Sequence, residues 1–155
     1  LDRMDEAMAQ IKDALANDPE NSGLLLRSGY LKEQAGDMEG ALADYKKSVE
    51  VDPEFFQGNF YTGALLLEQA TTMLNGLNDL SDAEWEKQSP IVGKKADENY
   101  KEAAKYFENA LKIQPDNTDP MTILFQIYTR LKMPEQAEAM NQKLIEKLGP
   151  NWMEN

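Results

Sequence analysis

The sequence predicts an all-α solenoid built from antiparallel helix–turn–helix repeats. The first observation behind this is a set of four alanines, Ala7, Ala41, Ala103 and Ala137, spaced 34, 62 and 34 residues apart. The second is the pattern each of them opens: a larger residue four places on, usually a small one three further, and Pro or Gly five beyond that. The quartets are Ala7/Ile11/Ala14/Pro19, Ala41/Tyr45/Ser48/Pro53, Ala103/Phe107/Ala110/Pro115 and, imperfectly, Ala137/Asn141/Leu144/Gly149. The third is a hydrophobic fraction of 41% in 155 residues, enough for one domain and suited to a solenoid, where each unit buries surface only against its neighbours. Self-similarity at a fixed 34-residue period is itself the mark of stacked helical pairs.

Apolar positions and turn chemistry give each element in order. Met4, Ala7, Met8, Ile11, Ala14 and Leu15 form one stripe of a helix over 4–16, stopped by Asp18-Pro19. Asn21 or Ser22 caps a helix over 22–35 that carries Leu25, Gly29 and Leu31. Gly36-Asp37 turns the chain into a helix over 38–50, with Ala41, Leu42, Tyr45 and Val49, ended by Asp52-Pro53. Gly29 and Ala41 are placed where these two helices cross, so that their missing side chains let the backbones approach. Tyr45 fills the space toward the next unit.

The 62-residue step exceeds the period by 28 residues, and the extra chain falls between Gly63 and Ala103. A helix from about 55 to 75 is expected, broken by Gly76 and Asn78-Asp79. The capping-box pattern Ser81-Asp82-Ala83-Glu84 predicts a short helix over 82–88. Pro90 and Gly93 are expected to interrupt it before a long helix over 94–113. The hairpin inserted at about 70–97 would project beyond the body with Trp85 and Ile91 near its tip. The final unit reads as helices over 118–131 and 134–147, with Pro134 in a first turn and Gly149-Pro150 as the stop.

These residues resemble the tetratricopeptide repeat family. Leu25, Gly29, Ala41, Tyr45 and Pro53 match its key positions in one unit, and Gly63, Ala103, Phe107, Ala110 and Pro115 in the next. Leu124, Tyr128 and Ala137 match in the last. Ser28, Lys32 and Ser48 depart from the family's usual Leu, Tyr and Ala, and Phe125, Asn141 and Gly149 also depart. The resemblance implies one domain: a half repeat over 1–20, repeats over 21–53, 54–115 and 116–150, and a tail over 151–155. The half repeat lacks a first helix, which leads to the expectation of further repeats upstream of Leu1. The long hairpin is similar to that of a group of bacterial members, several of them exported to the cell envelope.

The resemblance also implies that the first helix of each unit lines a concave wall. That wall would hold Leu26, Arg27, Tyr30 and Gln34, then Phe60, Tyr61, Ala64 and Glu68, then Ile123, Gln126 and Arg130. Some members clamp a terminal carboxylate with Lys and Asn on these helices. Here the corresponding positions hold Leu26 and Tyr30. A groove of exposed aromatics with few charges suits a protein or peptide partner. Trp85 is a candidate anchor on the insertion, and Trp152 and Met153 are expected to pack on the last helix or to be disordered.

Composition narrows the chemistry. With no Cys and no His, the chain has no thiolate nucleophile, no zinc–thiolate site and no ordinary imidazole base or pH switch. Sixteen basic against twenty-eight acidic residues give a net charge of -12, which disfavours nucleic acid and anionic membranes. The clusters Asn78-Asp79-Asp82-Glu84 and Asp116-Asp119 lack the alternating ligands and final Glu of a calcium loop and read as caps and turns. No catalytic residue, metal or cofactor is assigned. The expected function is a non-catalytic interaction scaffold. The alternatives are an assembly element whose groove is filled by its own chain or a symmetry mate and, more distantly, part of an enzyme whose catalytic domain lies elsewhere.

Overall fold

Helix starts are set by side chains that occupy the free backbone N–H groups of a first turn. In the computed structural model, which describes residues 2–154, α1 (Asp2–Asn17) precedes α2 (Ser22–Gln34), whose cap Asn21 accepts from the Leu24 N–H at 2.9 Å. Asp37 does the same for α3 (Met38–Val51), accepting from Gly40 N–H at 2.9 Å. Then come α4 (Phe56–Asn75), a 3-10 turn over Gly76–Asp79, α5 (Asp82–Ile113), α6 (Thr118–Arg130), α7 (Pro134–Leu148) and a last 3-10 turn at Trp152–Glu154. Each helix packs on the next, and α2·α3, α4·α5 and α6·α7 are the closest pairs. Among the described residues the fold is all-helical: an α-solenoid with one long hairpin.

The small residues act where the helices cross. A Cβ on Gly29 would lie 2.6 Å from the Tyr45 ring and 3.1 Å from the Ala41 carbonyl oxygen. A Cβ on Gly63 would lie 2.8 Å from the Phe107 ring. Ala41, Tyr45, Ala103, Phe107 and Ala110 are consequently sealed at 0% exposure. Tyr45 fills space within its own unit as well as toward the next. Its ring covers Gly29, its hydroxyl donates to Glu33 at 2.7 Å, and its ring centroid lies 5.8 Å from that of Tyr61. Tyr128 makes a similar phenol–carboxylate bond between units, donating from α6 to Glu108 of α5 at 2.6 Å. Ala137 is buried on α7, while Pro53 and Pro115 sit exposed in the turns that follow α3 and α5.

Two departures from the usual repeat residues belong to one polar network. Buried Ser28 donates to Asp44 at 2.5 Å, and Lys32 pairs with the same carboxylate at 2.6 Å. A hydroxyl is tolerated there because its partner crosses with it from α3. Ser48, fully buried, donates to the Tyr45 carbonyl at 2.7 Å and stays inside its own helix.

The insertion departs from the expected pattern. No break occurs at Pro90 or Gly93, and α5 runs unbroken for 32 residues with Pro90 inside it. Glu84 starts it, accepting from the Ser81 N–H at 3.2 Å and the Ser81 hydroxyl at 2.6 Å, bonds that hold its carboxyl below the usual range. Pro90 removes one helix bond and crowds the carbonyl of Glu86. Residues 81–88 are all exposed, so that carbonyl meets water, and Ala83, Glu84, Glu86, Lys87, Lys94 and Lys95 favour the helix on both sides.

Asn99 meets Gln69 across the hairpin at 3.5 Å, and Phe107 meets Gly63. The end of α4 is therefore level with about residue 93 of α5, and the first ten or so residues of α5 overhang by roughly 16 Å at 1.5 Å per residue. Trp85, half exposed, stands in the first turn of this arm. Ile91 is 72% exposed but is set about 14 Å down the helix from its start, so only Trp85 belongs to the tip. At the other end Trp152 is ordered. Its ring packs edge-on against Phe125 at 5.2 Å and its indole donates to Asn141 at 3.0 Å, while Met153 stays exposed. Leu1 and Asn155, the ends of the expected half repeat and tail, lie outside the described residues.

Candidate functional site

The turn chemistry that places α2 against α3 also aims one face of α2 away from the core. Leu26 is half-buried there, and Arg27, Tyr30 and Gln34 are exposed. Tyr61, 40% exposed, comes alongside from α4, held by Tyr45 on one side and by Phe60 at 6.2 Å on the other. Phe60 is itself fixed by Phe56 at 5.8 Å and by Phe107 at 5.4 Å, so it supports the wall more than it lines it.

A pocket of about 400 Å³ opens between these helices. Leu26, Arg27, Tyr30 and Leu31 of α2 line it, with Tyr45 and Tyr61 behind and Ala7 and Ile11 of α1 closing its outer side. Seven of those eight residues are uncharged. Arg27 is the exception, and it forms no ion pair or hydrogen bond among the described residues.

The remaining wall candidates do not join this pocket. Ala64 and Ile123 are half-buried against the main core, Gln34 and Gln126 are exposed on their own turns, and Arg130 lies over the Tyr100 ring at 5.7 Å. Glu68 lines a different and larger groove of about 750 Å³ between α3, α4 and α5. Met38 and Leu42 of α3, Leu65 and Met73 of α4, and Lys95 and Asn99 of α5 border it. It lies where α4 and α5 outrun the α2–α3 turn. Sequence reasoning missed this groove, to which the lengthened hairpin contributes Thr72, Met73 and Lys95. It also missed Ala7, Ile11 and Leu31 as lining residues of the wall pocket.

Among the described residues no three acidic, Cys or His side chains converge on a metal-sized space. Three phenols are pushed to high pKa: Tyr45 and Tyr128, through burial and then through their bonds to Glu33 and Glu108, and Tyr106, chiefly through burial. Tyr45 and Tyr128 belong to the core, and Tyr106 packs against it. Among the described residues no helix is long and apolar enough to cross a membrane.

Comparison with known proteins agrees with this architecture. Family profiles described as tetratricopeptide repeat match residues 22–55 and 95–150, together more than half of the chain. The unmatched interval between them holds the lengthened hairpin. No curated protein matches the sequence. Among solved structures the chain is similar to a point mutant of MamA, at 18% identity and TM-score 0.62, covering 92% of this chain and 67% of that one. A structure of MamA from AMB-1 gives 19% identity and TM-score 0.61, with coverages of 92% and 62%. The human IFIT1 dimer with m7Gppp-AAAA gives 20% identity and TM-score 0.67, covering 87% of this chain but only 28% of IFIT1. This chain thus spans about two thirds of MamA and less than a third of IFIT1. At such identities the likeness is one of fold. From the two profile matches and the repeated Gly–Ala–aromatic crossings, the chain belongs to the tetratricopeptide repeat family.

Proposed function

We propose that this chain is a non-catalytic scaffold that binds a protein segment on its concave wall, at the pocket between Tyr30 and Tyr61. The observation that carries this reading is the pocket itself: about 400 Å³, almost wholly apolar, with two half-exposed tyrosines on a rigid helical frame. Tyrosines held this way offer large contact area with little rotamer entropy to lose. Leu26 and Tyr30 in place of clamp residues favour an internal segment of a partner over a terminal carboxylate. A net charge of -12 argues against nucleic acid as the ligand. The alternative is an assembly element; no described residue of the chain itself covers the pocket, so under that reading its occupant is a second copy or a segment outside the described residues.

A displayed peptide library selected against the wild-type protein tests the proposal. Ligands recovered in this way should bind the Tyr30→Ala/Tyr61→Ala variant at least tenfold more weakly. Ligands indifferent to that change, or none above background, would sink it.

A further inference from the structure

The lengthened hairpin leaves α5 standing past its neighbours. Lys46 of α3 meets Glu102 of α5 at 2.7 Å, and eight residues earlier α3 begins at Met38. The start of α3 is therefore level with about residue 94, and Lys95 borders the same groove as Met38. Beyond that level α5 carries Glu84, Gln88 and Ile91, which continue the line of Lys95 and Glu102 at spacings of 4, 3, 4 and 7. Such spacings keep side chains on one face of a helix. All three are exposed, Ile91 to 72%, and this stretch lies in mid-chain, above the level where the unit of α2 and α3 ends. Both Ser81 bonds end on Oε2 of Glu84 and leave Oε1 free. Lys95 forms no ion pair among the described residues.

We propose that this stripe pairs with its equivalent on a second copy, the two arms antiparallel about a twofold axis between Gln88 and Ile91. The charges select that direction. Run backwards, the stripe offers Lys95, Ile91, Gln88 and Glu84, so each Glu84 meets the other copy's Lys95 and the two Ile91 side chains touch at the centre. Parallel arms would set Glu84 against Glu84 and Lys95 against Lys95. In the antiparallel arrangement the bodies stay at opposite ends. Trp85 of each arm comes level with exposed Met38 of the other, at the mouth of the groove. Lys87 and Lys94 of opposite copies share the outer flank, where water and salt screen them. The area of two short arms is small, which makes this a weak, concentration-dependent dimer. It is separate from the wall pocket, which no residue of the arm lines.

Sedimentation of the full chain over a concentration series should show monomer and dimer in exchange. Ile91→Asp, at an exposed site, should weaken the dimer at least tenfold, and so should Lys95→Glu, which sets like charges together at both ends of the contact. Adding Glu84→Gln to Lys95→Glu should recover part of that loss, because Gln removes the repulsion and still serves the capping box. Lys87→Glu, which gives the flanking Lys94 a counter-ion, should tighten the dimer severalfold at low salt. The chain has no Cys, so introduced thiols report the direction of pairing. Under mild oxidation a Glu84→Cys chain and a Lys95→Cys chain should link to each other above the statistical share. Like positions stand roughly 16 Å apart along the arms, beyond the reach of about 7 Å between Cα atoms that a disulfide allows.

A monomer at every concentration, with no preferential cross-link, overturns the arm pairing. So does a dimer that ignores Ile91→Asp, or one in which Lys95→Cys chains link chiefly to each other, since that pairing is parallel. A dimer lost on Tyr30→Ala/Tyr61→Ala but kept on Ile91→Asp would overturn it too, by placing the second copy on the concave wall.

Discussion

Two glycines, both inside helices, should respond in opposite directions to the same substitution. Gly93 of α5 has nothing within 4 Å of an added Cβ, so Gly93→Ala changes only backbone entropy and helix propensity. It should stabilise the fold by about 0.5–1 kcal/mol. Gly63 of α4 gains the same propensity, but its Cβ would meet three Phe107 ring atoms at 2.8, 3.0 and 3.0 Å. Phe107 has nowhere to retreat, being fully buried and held edge-on by Phe60 at 5.4 Å. Overpacking of this kind costs about 1–3 kcal/mol. Propensity cancels in the comparison, so the two variants should differ in stability by about 1–3 kcal/mol, with Gly63→Ala the weaker. Urea unfolding followed by circular dichroism reads this as a difference in midpoint, on the order of 1 M at an ordinary m-value. The additive double variant serves as an internal check, since the sites share no partner. Coincident midpoints for the two single variants would refute the crossing as the reason for Gly63.

Gly36 and Lys132 occupy equivalent helix–helix turns, and both are left-handed, at φ 84° and 57°. Gly36→Ala should therefore lose about 1 kcal/mol while Lys132→Gly holds or gains up to about 1 kcal/mol, and equal signs in urea unfolding would contradict the equivalence. Burial and a carboxylate acceptor hold the Tyr45 and Tyr128 phenols above their ordinary value of 10.0. The unfolded chain therefore ionises first, and the stability they contribute is whole below pH 10 and falls above it by about 1.4 kcal/mol per pH unit per phenol. The Tyr45→Phe/Tyr128→Phe variant should show a shallower alkaline decline, and an unchanged slope would assign the loss to other groups. Removing residues 78–91 leaves Gly76, Leu77, Val92 and Gly93 to turn between α4 and α5. It should preserve cooperative unfolding, because none of the deleted residues is buried, and loss of the cooperative transition would make the arm structural.

Much of this architecture is legible in the sequence because repetition samples the same contact several times. Gly29 against Tyr45 and Gly63 against Phe107 are one geometry written twice, and the 34-residue step sets where each helix must start and stop. The arm is harder to read for the opposite reason. It occurs once, and Pro90 and Gly93 signal a break as long as their tertiary setting is unknown. Pro90 is tolerated because water serves the carbonyl it orphans, and that depends on the arm being exposed, which no window of sequence reports. The wall residues fall on the expected helices, but which of them share a pocket depends on neighbours. Phe60 is taken up by Phe56 and Phe107, Arg130 by Tyr100, and Glu68 by the groove at α3.

The two concavities have different origins, and this bears on specificity. The Tyr30–Tyr61 pocket arises from repeat geometry, so its general shape would recur in any array that stacks helices in this way. Its individuality comes down to a few side chains, with Arg27 as the only charge. The groove between Met38, Leu42 and Met73 lies where α4 and α5 run on past the start of α3, and Thr72, Met73 and Lys95 of the lengthened hairpin contribute to its lining. Lys46 of α3 reaches across to Glu102 of α5 at 2.7 Å, tying the extended hairpin to the preceding unit beside that groove. Removing residues 78–91 shortens the overhang without touching the wall pocket. A partner lost with that deletion but kept on Tyr30→Ala/Tyr61→Ala would have been selected by the insertion and not by the repeat.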